Sequence, residues 1–485
     1  MHKEIKNYLS RGIYPFHMPG HKRNKKFFPQ NFFEYDLTEF SGMDNLHDPN
    51  GIIKKFCEKI SKKFFSFESF FLTNGASAGI VAAICATCDE NTILFAPRNA
   101  HVSLYNGLIF SGARPKYFFP EIFDGFFANV SPEIFDEMPH GAVAVVVSPT
   151  YEGFVSDIAA IAKKVHARDG ILIVDEAHGA HFAFHDYFPE TALQQGADIV
   201  INSLHKTLPA VSGCAAVHTR KNFPRLRFFL NAMQTTSPSY MLIANCDFMF
   251  DKLTHNLFEK YISRLEIFRK EFFCENKTTS ENIRHAPNVI AGLTRNPLFC
   301  GNEEIPRQAR NDGKGVFGVC RMNEKNFDRG KILFSFDSNA KKICETAERE
   351  FKIQFEMSTE RHILAMTSVA DTAEGFSRLE KAARFFSDFQ KSENVAAEKF
   401  EKNFCDACEK NKKNFRAPQI IFSPREAMRF ESEKIPAAHA IGRISAELIA
   451  QYPPGIAQIV PGELIETKIS KPFVRVLVDT AQKIL

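Results

Sequence analysis

Four short stretches put reactive side chains directly beside apolar runs. Lys206 lies in Ser203-Leu204-His205-Lys206, after Ile199-Val200-Ile201-Asn202. A lysine there is either a snorkelling surface residue or a desolvated amine able to form a Schiff base. Asp175 follows Ile171-Leu172-Ile173-Val174. A carboxylate at the end of a buried strand is costly unless it meets a cation or several donors. Gly75-Ala76-Ser77-Ala78-Gly79 separates an apolar run from a helical pattern. Free backbone N–H groups and a Ser hydroxyl at such a junction make an anion site. His101, in Pro97-Arg98-Asn99-Ala100-His101, would by itself be read as structural. Together the four supply an anion cradle, a flat ring, a carboxylate and an amine. Pyridoxal phosphate needs that set, for its phosphate, its ring face, its pyridinium nitrogen and its aldehyde.

The elements that must position these residues alternate along the chain. Phe70–Leu72, Thr92–Ala96, Ala142–Val147, Ile171–Val174 and Ile199–Asn202 read as strands. A helix runs from the Gly/Ser turn through Cys88, and another covers Ser156–Asp169. Near-continuous Val/Ile strands separated by helices imply a mostly parallel sheet covered on both faces, with its working residues at the strand ends. Phe248–Phe273 reads as one long helix, and Lys331–Phe389 as a smaller α/β unit. Lys391–Arg416, rich in Lys, Glu and Asn, reads as an exposed helix or linker. Tyr452-Pro453-Pro454-Gly455 and Pro461-Gly462-Glu463 are rigid turn signals in a compact terminal module. Ala286–Gly313 has no 2.0 or 3.6 period and resembles the translated product of a repetitive palindromic element inserted as a surface loop, ahead of the alternative of an ordinary long loop. The expected division is an N-terminal arm (1–50), a large domain (51–285), an inserted loop (286–318), a small α/β domain (319–390) and a linker with C-terminal module (391–485).

Composition removes several classes. The chain has 485 residues, 61 Lys plus Arg and 57 Asp plus Glu, a net +4. That balance does not suit a nucleic-acid-binding protein. Its apolar runs are far shorter than the ~20 residues of a bilayer span, and the start lacks the apolar core of a signal peptide. Eleven scattered cysteines suit reduced thiols in a cytoplasm. The pairs Cys85/Cys88 and Cys405/Cys408 lack zinc-knuckle context, so no metal site is expected. Fifty Phe and no Trp read as core filling.

The chain resembles the ornithine/lysine/arginine decarboxylase family of fold type I pyridoxal-phosphate enzymes. The resemblance rests on Asp175-Glu176-Ala177-His178-Gly179-Ala180-His181, Ser203-Leu204-His205-Lys206-Thr207-Leu208-Pro209-Ala210 and Pro15-Phe16-His17-Met18-Pro19-Gly20-His21-Lys22. Gly42-Met43-Asp44-Asn45-Leu46-His47 and the two terminal proline-glycine motifs also match family segments. The match is to the shorter members, which lack a receiver-like wing domain. It implies that Lys206 holds the cofactor, with His101 on one ring face and Ala177 on the other. Asp175 would pair with the pyridinium nitrogen. Gly75, Ser77, Ser203 and His205 would form the phosphate end, with Thr150 near the 3′ oxygen and His178 near cofactor or substrate. Catalytic roles would fall to Lys206, Asp175, His101 and His205. The implied reaction is α-decarboxylation of a basic amino acid, arginine before lysine or ornithine, toward a polyamine or its precursor. Family active sites lie at dimer interfaces, so a homodimer or larger assembly is expected, with His17–His21 and the terminal module closing the neighbouring site. Ala76, Leu204, Val102 and Asn45 depart from the family pattern.

Rival readings remain. Asp175-Glu176-Ala177-His178 spells a DEAH box, but no GxxxxGK[ST] phosphate loop accompanies it. His178, His181 and His185 could serve a metal hydrolase, though no HExxH occurs. Another fold type I activity, of aminotransferase or aldolase type, would keep Lys206 and Asp175. A decayed, non-catalytic relative would keep the fold alone.

Overall fold

A computed structural model describes residues 1–272, 326–336, 339–393, 418–451 and 455–478. Its centre is a seven-stranded sheet. Across the sheet the strands are Glu68–Leu72, Ala215–Thr219, Ile199–Asn202, Ile171–Asp175, Val143–Val147, Ile93–Pro97 and Arg114–Phe118. Ala215–Thr219 runs antiparallel to both its neighbours, and every other pairing is parallel. The mostly parallel sheet expected from the alternating pattern is therefore present.

Side chains alternate between the two faces. Leu94, Val143, Val145, Ile173 and Ile201 pack under the helices Gly75–Thr87 and Val102–Ser111. Phe95, Ala144, Val146, Leu172 and Val174 pack under Ile158–His166. With both faces covered, the central strands read as unbroken apolar runs. Gly79 lets the first helix lie close: a Cβ there would come within 2.8 Å of Val217 Cγ2 and 2.9 Å of Leu72 Cδ1.

A three-stranded antiparallel sheet, Lys331–Ser335, His362–Met366 and Met357–Ser358, forms the smaller unit with the helices Ala340–Phe351 and Ala373–Glu393. The arm strand Tyr14–Phe16 pairs in parallel with Ile353–Phe355. The terminal module holds two antiparallel pairs, Ser432–Pro436 with Phe473–Leu477 and Ile449–Gln451 with Ile456–Ile459. Phenylalanine fills much of the core, as at Phe16, Phe64, Phe71, Phe268 and Phe334, whereas Phe65 is exposed.

One helix was read too long. Phe248–Phe273 is not continuous: Tyr240–Lys252 ends at Leu253, whose ψ of 81° leaves the helix, and His255–Phe272 begins afresh. Thr254 Oγ1 accepts the Leu257 N–H at 3.3 Å and caps the new start. The expected insert 286–318, nearly all of Lys391–Arg416, Tyr452–Pro454 and the Cys405/Cys408 pair lie outside the described residues.

The Asp44 motif proves structural in its geometry. The Asp44 carboxylate accepts backbone N–H bonds from Asn45, Asn50, Gly51, Ile53 and Lys54, at 2.7 to 3.1 Å. It thus caps the start of the helix Ile52–Phe64. Burial works to raise its pKa, but the backbone donors outweigh burial and hold it below the usual carboxylate range. Asp44→Ala should cost about 2 kcal/mol or more in urea unfolding. Because the folded-state pKa is depressed, this stabilisation is complete above the ordinary Asp pKa of about 4. It is lost as pH falls through the folded value, so the gap between wild type and variant should narrow in acid.

Candidate active site

A cleft of about 810 Å³ opens at the carboxyl ends of the parallel strands, where ligands of open α/β sheets collect. Every site residue read from the sequence lines it, from Gly75 and Ser77 through His101, Thr150 and Asp175 to Lys206.

The strand register positions the two charged groups. Asp175 ends its strand opposite Val147 on one side and Ile201 on the other. It is buried, and Oδ1 accepts the Ala177 N–H at 3.1 Å. Burial raises its pKa, against the pull of Lys206 and that one N–H. Lys206 stands on the short helix Leu204–Thr207, immediately after the next strand. Its Nζ lies 3.1 Å from His178 Nε2. Burial lowers its pKa, with Asp175 and Glu356 opposing.

The start of the helix Gly75–Thr87 borders the same cleft. Gly75 adopts φ +75° there, and the first-turn N–H groups have no helical carbonyl to bond. Ser77 is exposed to the cleft, and the Ser203 hydroxyl caps nothing in its own helix. His205 is anchored through Nδ1 to the Cys214 carbonyl at 3.0 Å. His101 Nδ1 accepts from Ser103 N at 3.2 Å, so its ring begins the helix Val102–Ser111 with a fixed orientation. Burial, then Lys206, pushes the His101 pKa down to about 4. A neutral, flat ring results.

Segments far along the chain pack against these residues. Gly20 N–H donates to the His205 carbonyl at 2.8 Å. Within a single chain the His17–His21 segment therefore already lies on the lysine helix. Glu356 accepts from Met18 N at 2.8 Å and from Tyr151 Oη at 2.9 Å. The terminal module is held by a buried ion pair, Arg98 Nη1 to Glu463 Oε1 at 2.7 Å. Among the departures from the family pattern, Leu204 is fully buried in the core and Ala76 lines the cleft.

Three residues near the site were not singled out from sequence: Lys331, Glu356 and Glu152. Lys331 opens a strand of the small unit, and its Nζ lies 3.0 Å from His178 Nδ1. Its only local signal is an unusual Lys ahead of Ile332-Leu333-Phe334. The three histidines of the metal reading are separated by their partners. His178 meets two lysines, His181 meets Asp328, and His185 meets Glu259. His185 lies with His255 and Glu259 at ligating distances, but its Nδ1 accepts the Tyr187 N–H. Nε2 must then carry the proton, which leaves it no lone pair for a metal.

The residues present fit pyridoxal phosphate. Asp175 is a buried carboxyl with one backbone donor, and burial makes it seek a cation. Lys206 is an amine whose charged form burial disfavours. A helix start with open N–H groups lies in the same cleft.

Known proteins resemble this chain in sequence and in fold. The family model described as Orn/Lys/Arg decarboxylase, major domain, matches residues 1–294, and Orn/Lys/Arg decarboxylase, C-terminal domain, matches residues 407–484. The chain is similar to the arginine decarboxylase of Bacillus subtilis, 28% identical over 97% of this chain and 92% of that protein. It is also similar to the inducible lysine decarboxylase of Escherichia coli, 23% identical over 98% of this chain and 76% of that protein. Among solved structures, the constitutive lysine decarboxylase of E. coli superposes with a TM-score of 0.69 at 17% identity, over 94% of this chain and 76% of that one. A structure of SPT with PLP superposes with a TM-score of 0.54 at 11% identity, over 79% and 88% of the two chains. The fold is that of the fold type I enzymes.

Gly20 offers a direct test of the arm's place. A Cβ at Gly20 would lie 2.7 Å from the Leu208 carbonyl oxygen and 3.1 Å from that of Lys206. Neither backbone atom can yield without moving the lysine helix. Gly20→Ala should cost about 1–3 kcal/mol in urea unfolding and weaken cofactor retention on dialysis.

Proposed function

The chain belongs to the Orn/Lys/Arg decarboxylase family, and from that premise we propose that it is a pyridoxal-phosphate-dependent decarboxylase of a basic amino acid, arginine first. The observation that carries the reading is the pairing of a desolvated Lys206 amine with a buried Asp175 carboxyl in one cleft. Arginine is favoured because the similar protein of B. subtilis, which this chain spans almost fully, is named for that substrate.

Pyridoxal phosphate, when bound, supplies an electron sink for the pair left behind as CO₂ departs. The protein's own groups do the remainder. Lys206 Nζ would hold the cofactor and return to it when product leaves. Asp175 would keep a proton on the ring nitrogen, which a carboxylate out of water does strongly. The ring of His101 would lie on one face and the Ala177 methyl on the other. The helix start at Gly75, with Ser77, Ser203 and His205, would take the phosphate, and Thr150 borders the same space. His178 Nε2 sits within reach of the Lys206 amine and can exchange a proton with it. Lys206 and His205 line the cleft, and one of them or water would return the proton to Cα. Glu152 and Glu466 line the same cleft and offer carboxylates to a distal cation.

The same reading makes the protein a cytoplasmic homodimer or larger assembly whose product is a polyamine or its precursor. Two observations support the compartment. Among the described residues the cysteines are free thiols, and no helix is long and apolar enough to cross a membrane.

Purified protein should show a visible chromophore that borohydride fixes as added mass on Lys206, and should release CO₂ from arginine faster than from lysine or ornithine. Colour without CO₂ from any of the three would remove the decarboxylase reading. Lys206→Ala should lower kcat by about 10³-fold or more, roughly 4 kcal/mol of transition-state stabilisation. Asp175→Asn should still bind the cofactor but turn over about 10²-fold more slowly or worse; unchanged kinetics would remove Asp175 from its role.

A further inference from the structure

Two lysines meet one imidazole of the cleft. Lys206 Nζ is 3.1 Å from His178 Nε2, and Lys331 Nζ is 3.0 Å from His178 Nδ1. Lys331 is fully buried and His178 nearly so. The ring is neutral, because burial, Lys206, Lys331, His205 and His101 together hold its pKa well below the usual value. A neutral imidazole has one N–H and one lone pair. An ammonium can donate to the lone pair, but it cannot donate to the nitrogen that bears hydrogen. If both contacts are hydrogen bonds, the trio holds one ammonium rather than two.

The surroundings decide which lysine carries it. Lys331 Nζ also donates to the Tyr151 carbonyl at 2.6 Å, an acceptor that an ammonium uses well. Asp328, Glu152 and Glu356 all face it. Lys206 Nζ has only the imidazole as a hydrogen-bond partner among the described residues, with Asp175 and Glu356 acting at a distance. The tautomer follows. With Lys331 donating to Nδ1, the hydrogen of His178 must sit on Nε2 and point at Lys206.

We propose that Lys331 is a positioning residue for Lys206: its ammonium fixes His178 as the Nε2–H tautomer, and that N–H donates to the Lys206 amine, holding it neutral with its lone pair in the cleft. The same chain of contacts can pass a proton from Lys331 through His178 to Lys206, each nitrogen giving one hydrogen as it takes another. Burial pushes the Lys331 pKa down to about 8, against Asp328, Glu356 and Glu152. Its hold is therefore complete near neutrality and is released as pH rises through that value. The inference rests on Lys206 as the cofactor lysine. Its readouts need neither cofactor nor substrate, so they hold or fail separately from decarboxylation.

The test uses the full chain stripped of cofactor. Competitive labelling with trinitrobenzenesulfonate, followed by mass spectrometry of the Lys206 peptide across pH, gives the midpoint at which that amine becomes reactive. Lys331→Met should raise the midpoint by about one unit or more, a roughly tenfold slower labelling at fixed pH below it, and Lys331→Arg should keep it low. Since Lys331→Met can fail to fold, ¹⁵N spectra of the wild-type histidines, with His178 assigned by His178→Gln, supply a second readout. A lone pair at Nδ1 and a proton at Nε2 are expected. A proton at Nδ1, or equal midpoints in wild type and a folded Lys331→Met, would overturn the proposal.

Discussion

Two ionisable groups withdrawn from water at the ends of neighbouring strands, the Asp175 carboxyl and the Lys206 amine, set the demands on everything around them. Burial raises the Asp175 pKa and lowers that of Lys206, and each group's charge works against the other's shift. Such groups keep useful protonation only if their separation is held, so the strands beneath them cannot slip. A one-residue slip would turn Asp175 to the opposite face of the sheet. The register is pinned at the far end by Asp198, a fully buried carboxylate. It accepts Leu172 N at 2.9 Å, His166 Nε2 at 2.8 Å and Arg220 Nη2 at 2.7 Å. One side chain thereby ties the strand of Asp175 to the strand that leads to Lys206 and to the exit of Ala215–Thr219.

Segments that the chain visits far apart meet behind the cleft residues. Glu356, from the small unit, takes donors from the arm and from the large domain at once. Lys331 enters from the same small sheet, and Gly20 closes on the lysine helix from the arm. Each of these contacts uses backbone or a side chain withdrawn wholly or in part from water, and such contacts tolerate little displacement. The arrangement of the site therefore depends on how the arm, the small sheet and the large sheet dock on one another.

How much of this could be read in advance follows from where the physical signal lies. Asp175 and Lys206 were legible because each follows a run of four residues that can only be a buried strand, and a charge in that place demands a reason locally. The Gly75–Gly79 turn was legible in the same way. Asp44 was visible only as part of a resemblance, since its five backbone donors depend on how the loop to Gly51 folds back. The break at Thr254 was hidden because apolar residues on both sides keep a helical spacing through it. Lys331 was hidden most deeply. A lysine opening an apolar strand carries no pattern of its own, and its partner His178 is brought to it by tertiary packing alone. The antiparallel Ala215–Thr219 was missed as a strand because its pairing, not its composition, distinguishes it.

The Arg98–Glu463 bridge sets how the terminal module responds to its surroundings. Both side chains are withdrawn from solvent, at 6% and 3% exposure, and the guanidinium also lies 5.1 Å from the centre of the Tyr117 ring. Dissolved counter-ions weaken charges they can approach and barely touch those they cannot. A module held on by surface charges would loosen as ionic strength rose. A module held by a buried pair should keep its place on the cleft at high ionic strength as in dilute buffer.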